Sequence, residues 1–366
     1  MRNKHFLSPI PCLHPHHQTS LLQNQIEKKK KKKKFIMDKE QEEIQFLGFF
    51  GIFKESFNIV PTWRKIFCQI TLAMIIPLSF IYLAHIQISH FLFGKILQYE
   101  FVLERIPQGT PTYDKLSDML SSEWIAFLTF KIGYFIFFLI LALLSTSAVV
   151  YTIACIFTAK EISFKKVMSV VPKVWKRLIV TFVWNFIILF AYNIAVLLIF
   201  VIFIVLIPPG IISAILLILL LIAYFVGFVY ISVIWHLASV ISVLEESFGL
   251  NAMIKSQDLI KGKMGISMVI FIILNLCFIG IQFAFERIVV LGHGFVLRIG
   301  YGLLCLSLLS LLILVGLIIQ TIIYFICKSY HHENIDKSSL ADHLEVYLGE
   351  YVPLKERDVQ LEQFYA

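Results

Sequence analysis

Two adjacent carboxylates, Glu245 and Glu246, are followed ten residues later by Lys255 and Ser256 and then by Lys261, with Trp235 ten residues upstream of the first acid. Acids set next to lysines where a long apolar run gives way to polar sequence suit three kinds of chemistry. They can clasp a lipid head group or a partner protein, since a basic side chain near a membrane surface attracts anionic lipid. They can instead hold an amphipathic helix against a bundle. With Asp258 close by, they could also supply acid–base chemistry to a lipid. These six residues are the candidate lipid or partner contacts of the chain.

Other motifs of catalysis are missing. The sequence holds no GxxxxGK[ST], GxGxxG, HExxH or GxSxG pattern. Its six cysteines, Cys12, Cys68, Cys155, Cys277, Cys305 and Cys327, are too widely spaced for a zinc site or a disulfide framework. Cys327 is either a palmitoylation site or a lone apolar cysteine. The expectation is therefore a non-enzyme with no cofactor, no metal and no nucleic-acid partner.

The elements that must position the candidate cluster are set by a 67-residue stretch, 178–244, without one Asp, Glu, Lys or Arg. At about 1.5 Å per helical residue this is roughly three times the thickness of a bilayer's hydrocarbon core, so the chain must cross and return. Pro208-Pro209-Gly210 is the tightest place to turn, because proline cannot continue a helix and glycine accepts a sharp reversal. Further charge-free runs lie at residues 66–94, 132–159, 264–285 and 299–327. With 58% hydrophobic residues and a mean hydropathy of +0.82, the chain has more apolar surface than a soluble domain can bury. The fold class expected is all-α: a polytopic membrane helical bundle of about six transmembrane helices, with three cytosolic interfacial amphipathic helices.

Orientation follows from basic residues in short connections. Residues 160–177 carry Lys160, Lys165, Lys166, Lys173, Lys176 and Arg177 against Glu161 alone. Residues 95–131 hold Lys95, Arg105, Lys115 and Lys131 against five acids. The first segment is expected in the cytosol with both termini, and the second on the opposite side. Every charged side chain can then be assigned to a loop, a tail or a span boundary, which argues against ion-coupled transport. The polar residues left inside are chiefly Gln69, His85, Gln87, His90, Asn185, Asn193, His236, Asn275, Gln282 and Gln320. They either bond between helices or line a path.

Three stretches read as interfacial helices. Phe49, Ile52, Phe53, Phe57 and Val60 recur at helical spacing before Pro61-Thr62-Trp63-Arg64-Lys65. Phe164, Val167, Met168 and Val171 do so before Pro172-Lys173-Val174-Trp175-Lys176-Arg177, and Leu250, Met253, Ile254 and Ile260 form a weaker third copy. The domain layout is then a disordered basic leader at 1–36, a cytosolic interfacial segment at 37–65, a six-span domain at 66–327 and a cytosolic acidic tail at 328–366. The leader contains seven consecutive lysines at 28–34 and the run His14-Pro15-His16-His17. It reads as untranslated sequence ahead of a start at Met37, as a disordered tail, or as a lipid-sensing arm. The tail has eight acids against four basic residues and enough apolar residues to dock a cytosolic protein or to fold back on the bundle.

Residues 45–57 (QFLGFFGIFKESF), 235–246 (WHLASVISVLEE) and 252–256 (AMIKS) followed by 259–263 (LIKGK) resemble a family of plant polytopic integral membrane proteins of unknown function. More distantly, they resemble the membrane domain of some bacterial glycerophosphodiester phosphodiesterases. The resemblance covers about residues 37–366. It implies a fold and a membrane address, at an endomembrane or the plasma membrane, rather than a reaction. The expected role is organising or regulating something at that membrane. The alternatives are passive or lipid transport and a membrane-embedded lipid enzyme.

Overall fold

The computed structural model describes residues 47–158, 162–292 and 294–331. The leader, residues 37–46, Lys160 with Glu161, and the tail beyond residue 331 fall outside them, as do the readings placed on those stretches. All regular structure among the described residues is helical. Helix α1 is Phe49–Thr62, α2 Arg64–Leu103, α3 Pro111–Phe157, α4 Phe164–Leu206, α5 Ile211–Leu244, α6 Leu250–Leu259, α7 Met264–Val290 and α8 Phe295–Tyr330. Six of these, α2, α3, α4, α5, α7 and α8, are long and apolar enough to cross a membrane. Single π-helical turns interrupt α2 at Thr71–Ile75 and close α7 at Glu286–Val290.

Local sequence explains where the helices start and stop. Thr110 caps α3 by accepting a hydrogen bond from the Tyr113 amide at 3.3 Å, and Pro111 occupies the first helical position, where no amide hydrogen is needed. The expected reversal at Pro208-Pro209-Gly210 joins α4 to α5. Across that hairpin the rings of Tyr192 and Tyr224 stack at 5.9 Å, and the Tyr192 hydroxyl donates to the Tyr224 carbonyl at 2.9 Å.

Two sequence expectations are corrected. Residues 95–131 are not a loop: α2 and α3 run through most of the segment, and the turn itself occupies only 104–110. Antiparallel pairing keeps the polar part helical, with Lys95 3.5 Å from Glu123 and Phe93 against Phe127. Residues 164–177 are not a separate interfacial helix either. They form the first turns of α4, which continues through Pro172. A buried stripe of Val167, Val170, Val171, Val174 and Leu178 holds this stretch against the bundle and offsets the backbone bond that proline removes.

Helix α1 buries Ile52, Ser56 and Ile59, while Phe49, Phe53 and Val60 pack partly against the core and Phe57 stays exposed. Helix α6 buries Ala252, Met253, Ser256 and Leu259. Both sit where the ends of α2, α4, α5 and α8 converge, and most of the core is there: Ala148 to Ile156 of α3, Val233 to Leu244 of α5 and Leu314 to Cys327 of α8. This end carries Arg64, Lys65, Arg177, Lys255, Lys261, Lys263 and Lys328, and is termed the basic end below. Away from it the α4–α5 hairpin leaves Ile187, Phe190, Leu197, Ile215 and Phe225 exposed, as a surface solvated by acyl chains requires.

Candidate functional site

The candidate cluster is built by the chain reversal after α5. Leu244 ends the helix, and Glu245 turns to extended backbone. Gly249 then adopts φ +65°, a conformation that L side chains rarely take. A Cβ there would also meet Trp184 Cδ1 at 3.1 Å and Val180 Cγ1 at 3.3 Å. The Gly249 amide donates to Thr181 Oγ1 at 2.8 Å, and Thr181 Oγ1 lies 2.7 Å from Ser242 Oγ, so the reversal is tied to both α4 and α5. One side chain fixes α6 in turn: the fully buried Ser256 hydroxyl donates to the Ile234 carbonyl at 2.7 Å.

This places Glu245 between three helices. Its Oε2 lies 2.7 Å from Lys255 Nζ of α6. Its Oε1 accepts from the Tyr324 hydroxyl at 2.6 Å and from Lys328 Nζ at 3.0 Å, both in α8. Its backbone carbonyl accepts from Arg177 Nη1 of α4 at 3.5 Å. Burial by itself would raise the pKa of this carboxyl. Lys255, Tyr324 and Lys328 outweigh that cost and hold it below the usual carboxylate range. Both carboxylate oxygens are engaged, so Glu245 is an ionised strut tied to α6 through Oε2 and to α8 through Oε1.

Of the six residues singled out from sequence, the fold brings together Glu245 and Lys255, with Ser256 bonded beneath them. The other three lie apart. Trp235 is half-buried in α5 against Phe182, Glu246 is exposed, and Lys261 is exposed and paired with Asp258 at 2.7 Å. Tyr324, Lys328 and Arg177 complete the cluster and were missed. The signal for the first two was their spacing of four at the end of a span, which puts them on one face of α8.

Most of the intramembrane polar residues bond between or within helices. Tyr82 of α2 donates to Gln282 of α7 at 2.8 Å, and Tyr224 donates to Asn193 across the α4–α5 hairpin at 3.0 Å. Gln320 of α8 donates to the His236 carbonyl at 2.5 Å and to Ser239 Oγ at 2.7 Å, while its Oε1 lies 3.1 Å from His236 Nδ1.

One charged residue departs from the expected pattern. Lys131 is not at the rim of its span: Lys131 Nζ lies 2.8 Å from His85 Nε2, and His85 is ten residues before Lys95 in α2, about 15 Å along the helix. The His85 ring stacks on Tyr134 with centroids 3.7 Å apart, and Lys131 also lies 5.1 Å from the Phe127 ring centroid. With Lys131 donating to Nε2, His85 Nδ1 carries the ring hydrogen, yet it is buried without a hydrogen-bond partner. The apolar run of α3 begins at residue 132, but the pairing of α2 with α3 carries its neighbour to this depth.

Compared with protein families, the chain matches the one described as "Domain of unknown function (DUF8558)" over residues 37–364. No curated protein and no solved structure matches it.

Proposed function

We propose, for a chain that belongs to the DUF8558 family of domains of unknown function, a non-enzymatic role that organises or regulates other components at an endomembrane or the plasma membrane. In this reading both termini and the basic end face the cytosol, because basic connections are retained there. Helices α1 and α6 are its amphipathic stretches at the membrane surface. The tail at 328–366 is its contact for a cytosolic protein. The finer kinship, with plant membrane proteins and distantly with the bacterial phosphodiesterase membrane domain, belongs to the same proposal and rests on residues 45–57, 235–246, 252–256 and 259–263.

The observation that carries the reading is the engagement of Glu245. A carboxylate held by Lys255, Lys328 and Tyr324 is a poor proton acceptor, and its effect is to lock α5, α6 and α8 into one rigid platform. Affinity capture of the full chain from its native membranes tests this. A stoichiometric protein partner that is lost when Glu245→Ala loosens the basic end supports it. Failure to retain any protein partner in those membranes overturns it.

A second reading, passive passage of a solute or lipid through the bundle, is favoured by Lys131 and His85. An intramembrane ionisable pair is costly and commonly marks a path.

A further inference from the structure

A cavity of about 250 Å³ lies between α5, α7 and α8, away from the Glu245 cluster. Its walls are mainly apolar, among them Phe271, Leu274, Ile313 and Leu317, and its polar lining residues are His236, Ser267, Asn275 and Gln320. Counted along their helices, His236 is eight residues inside Leu244 and Asn275 eleven residues inside Met264, about 12 and 16 Å from the basic end. Both lie within the apolar runs of their helices, the parts expected to be surrounded by acyl chains.

The protonation of His236 is fixed by its neighbours. Gln320 Nε2 is 2.5 Å from a backbone carbonyl, which can only accept, so that atom is the amide nitrogen and Oε1 is the atom facing His236 Nδ1. Nδ1 therefore carries the hydrogen. No Asp or Glu lines the cavity to support a second proton, so Nε2 is a bare acceptor. It has no hydrogen-bond partner among the described residues, and it is not among the sealed polar atoms. Asn275 is exposed in the middle of α7. Its Nδ2 donates one hydrogen to the Phe271 carbonyl at 2.9 Å, leaving a second N–H and the Oδ1 to be satisfied where no water is at hand.

From this geometry we infer that the cavity is a binding site for a neutral glycerolipid with a free hydroxyl, a diacylglycerol, whose hydroxyl donates to His236 Nε2 and whose ester carbonyl accepts from Asn275. His236 and Asn275 select this occupant, since Ser267 and Gln320 bond within the protein. The acceptor on His236 calls for a donor, which a triacylglycerol lacks. The spare N–H on Asn275 calls for a second acceptor on the ligand, which a sterol, whose single hydroxyl is taken by His236, does not supply at another point. Depth excludes a phosphate head group, since a charge carried this far from water is strongly disfavoured. The cavity is small for a rigid ligand, so it holds the glycerol and the first carbons while the chains trail into the bilayer past the exposed face of α7.

The test uses the full chain reconstituted in phosphatidylcholine vesicles with a trace of diacylglycerol bearing a photoreactive group in one acyl chain. Labelling of peptides from α5, α7 and α8 that unlabelled dioleoylglycerol competes is expected. A triacylglycerol probe with the same photoreactive chain should give only uncompeted background. His236→Phe keeps a ring but removes the acceptor, and should raise the competing concentration about tenfold, the worth of one hydrogen bond in an apolar site. Asn275→Leu, at an exposed position that leaves packing intact, should raise it several-fold and is the deciding variant if His236→Phe does not fold. Labelling that dioleoylglycerol does not compete, equal labelling by the triacylglycerol probe, or unchanged competition in a folded variant overturns the assignment.

Discussion

Glu245 and Lys328 are 83 residues apart in sequence and meet at 3.0 Å, joining the end of α5 to the end of α8. The contact closes the basic end, because α8 is the last span and its neighbours there are set by α1, α3 and α5. Lys328 is only 18% exposed, so this ion pair is less screened than one on an open surface.

Truncating the acid should be costly. Glu245→Ala leaves Lys255 and Lys328 facing each other without their counter-charge, and removal of one partner from a largely buried ion pair destabilises by about 3–5 kcal/mol. Lys255→Met should cost less than Lys328→Met, because Lys255 is 36% exposed and solvent takes over part of the lost interaction. Thermal unfolding of the purified variants in one detergent ranks the three. Equal loss from the two lysine variants would show that burial does not set the strength of these pairs.

The same carboxylate fixes a pH dependence. Its pKa is lowered in the folded chain from an ordinary value of 4.5, so the unfolded state binds the proton more tightly. The stability it contributes is fully present above about pH 4.5 and is lost as the pH falls through the folded value. Unfolding temperature followed from pH 7 to pH 3 should therefore drop more steeply for the natural chain than for Glu245→Gln. Parallel curves would remove Glu245 as the source.

Gly249→Ala should destabilise by about 1–3 kcal/mol, the usual cost of forcing a side chain into a sparsely populated backbone region, with the approach to Trp184 adding to it. Gly210→Ala is the control, since nothing lies within 4 Å of a Cβ built there. Denaturation of both variants by the same protocol separates a required glycine from a permitted one.

Reporter tags at both termini and within 162–177 should be found on one side of the membrane, and a tag in the 104–110 turn on the other. The expectation rests on the charge difference between the two connections. A tag at 162–177 on the same side as the turn would remove the six-span arrangement.

The non-transport reading predicts that vesicles containing the chain show no solute uptake dependent on a proton gradient. Lys131 and His85 are the residues that would carry such coupling, given their position inside the span. Gradient-dependent uptake abolished by Lys131→Met or His85→Ala would raise transport above the organising role.

The six apolar helices and the reversal at Pro208-Pro209-Gly210 were legible because each depends on residues close in sequence: runs without charge, and residues that cannot continue a helix. Glu245 and Lys255 were legible as a pair for the same reason, lying on either side of one tight turn. Tyr324, Lys328 and Arg177 were not, since their meeting depends on which helix ends converge. Lys131 shows the limit most clearly. A run of apolar residues starting at 132 puts it at a span's edge, whereas its depth is set by the stagger between α2 and α3, a property of two helices packed together. The continuation of α4 through Pro172 was not legible either, because it depends on valines on both sides of the proline being buried against other helices.

The α4–α5 hairpin bears on the thickness of bilayer that suits the chain. The charge-free part of α4, 29 residues from Leu178 to Leu206, is about 43 Å long, and the 34 residues of α5 are about 51 Å, against a hydrocarbon core of about 30 Å. Burying 43 Å in 30 Å by tilt alone needs an inclination of about 45°, beyond the range spanning helices commonly adopt. Each ångström of mismatch costs free energy, and the cost shrinks as the bilayer thickens. The hairpin is therefore matched to a thick bilayer better than to a thin one.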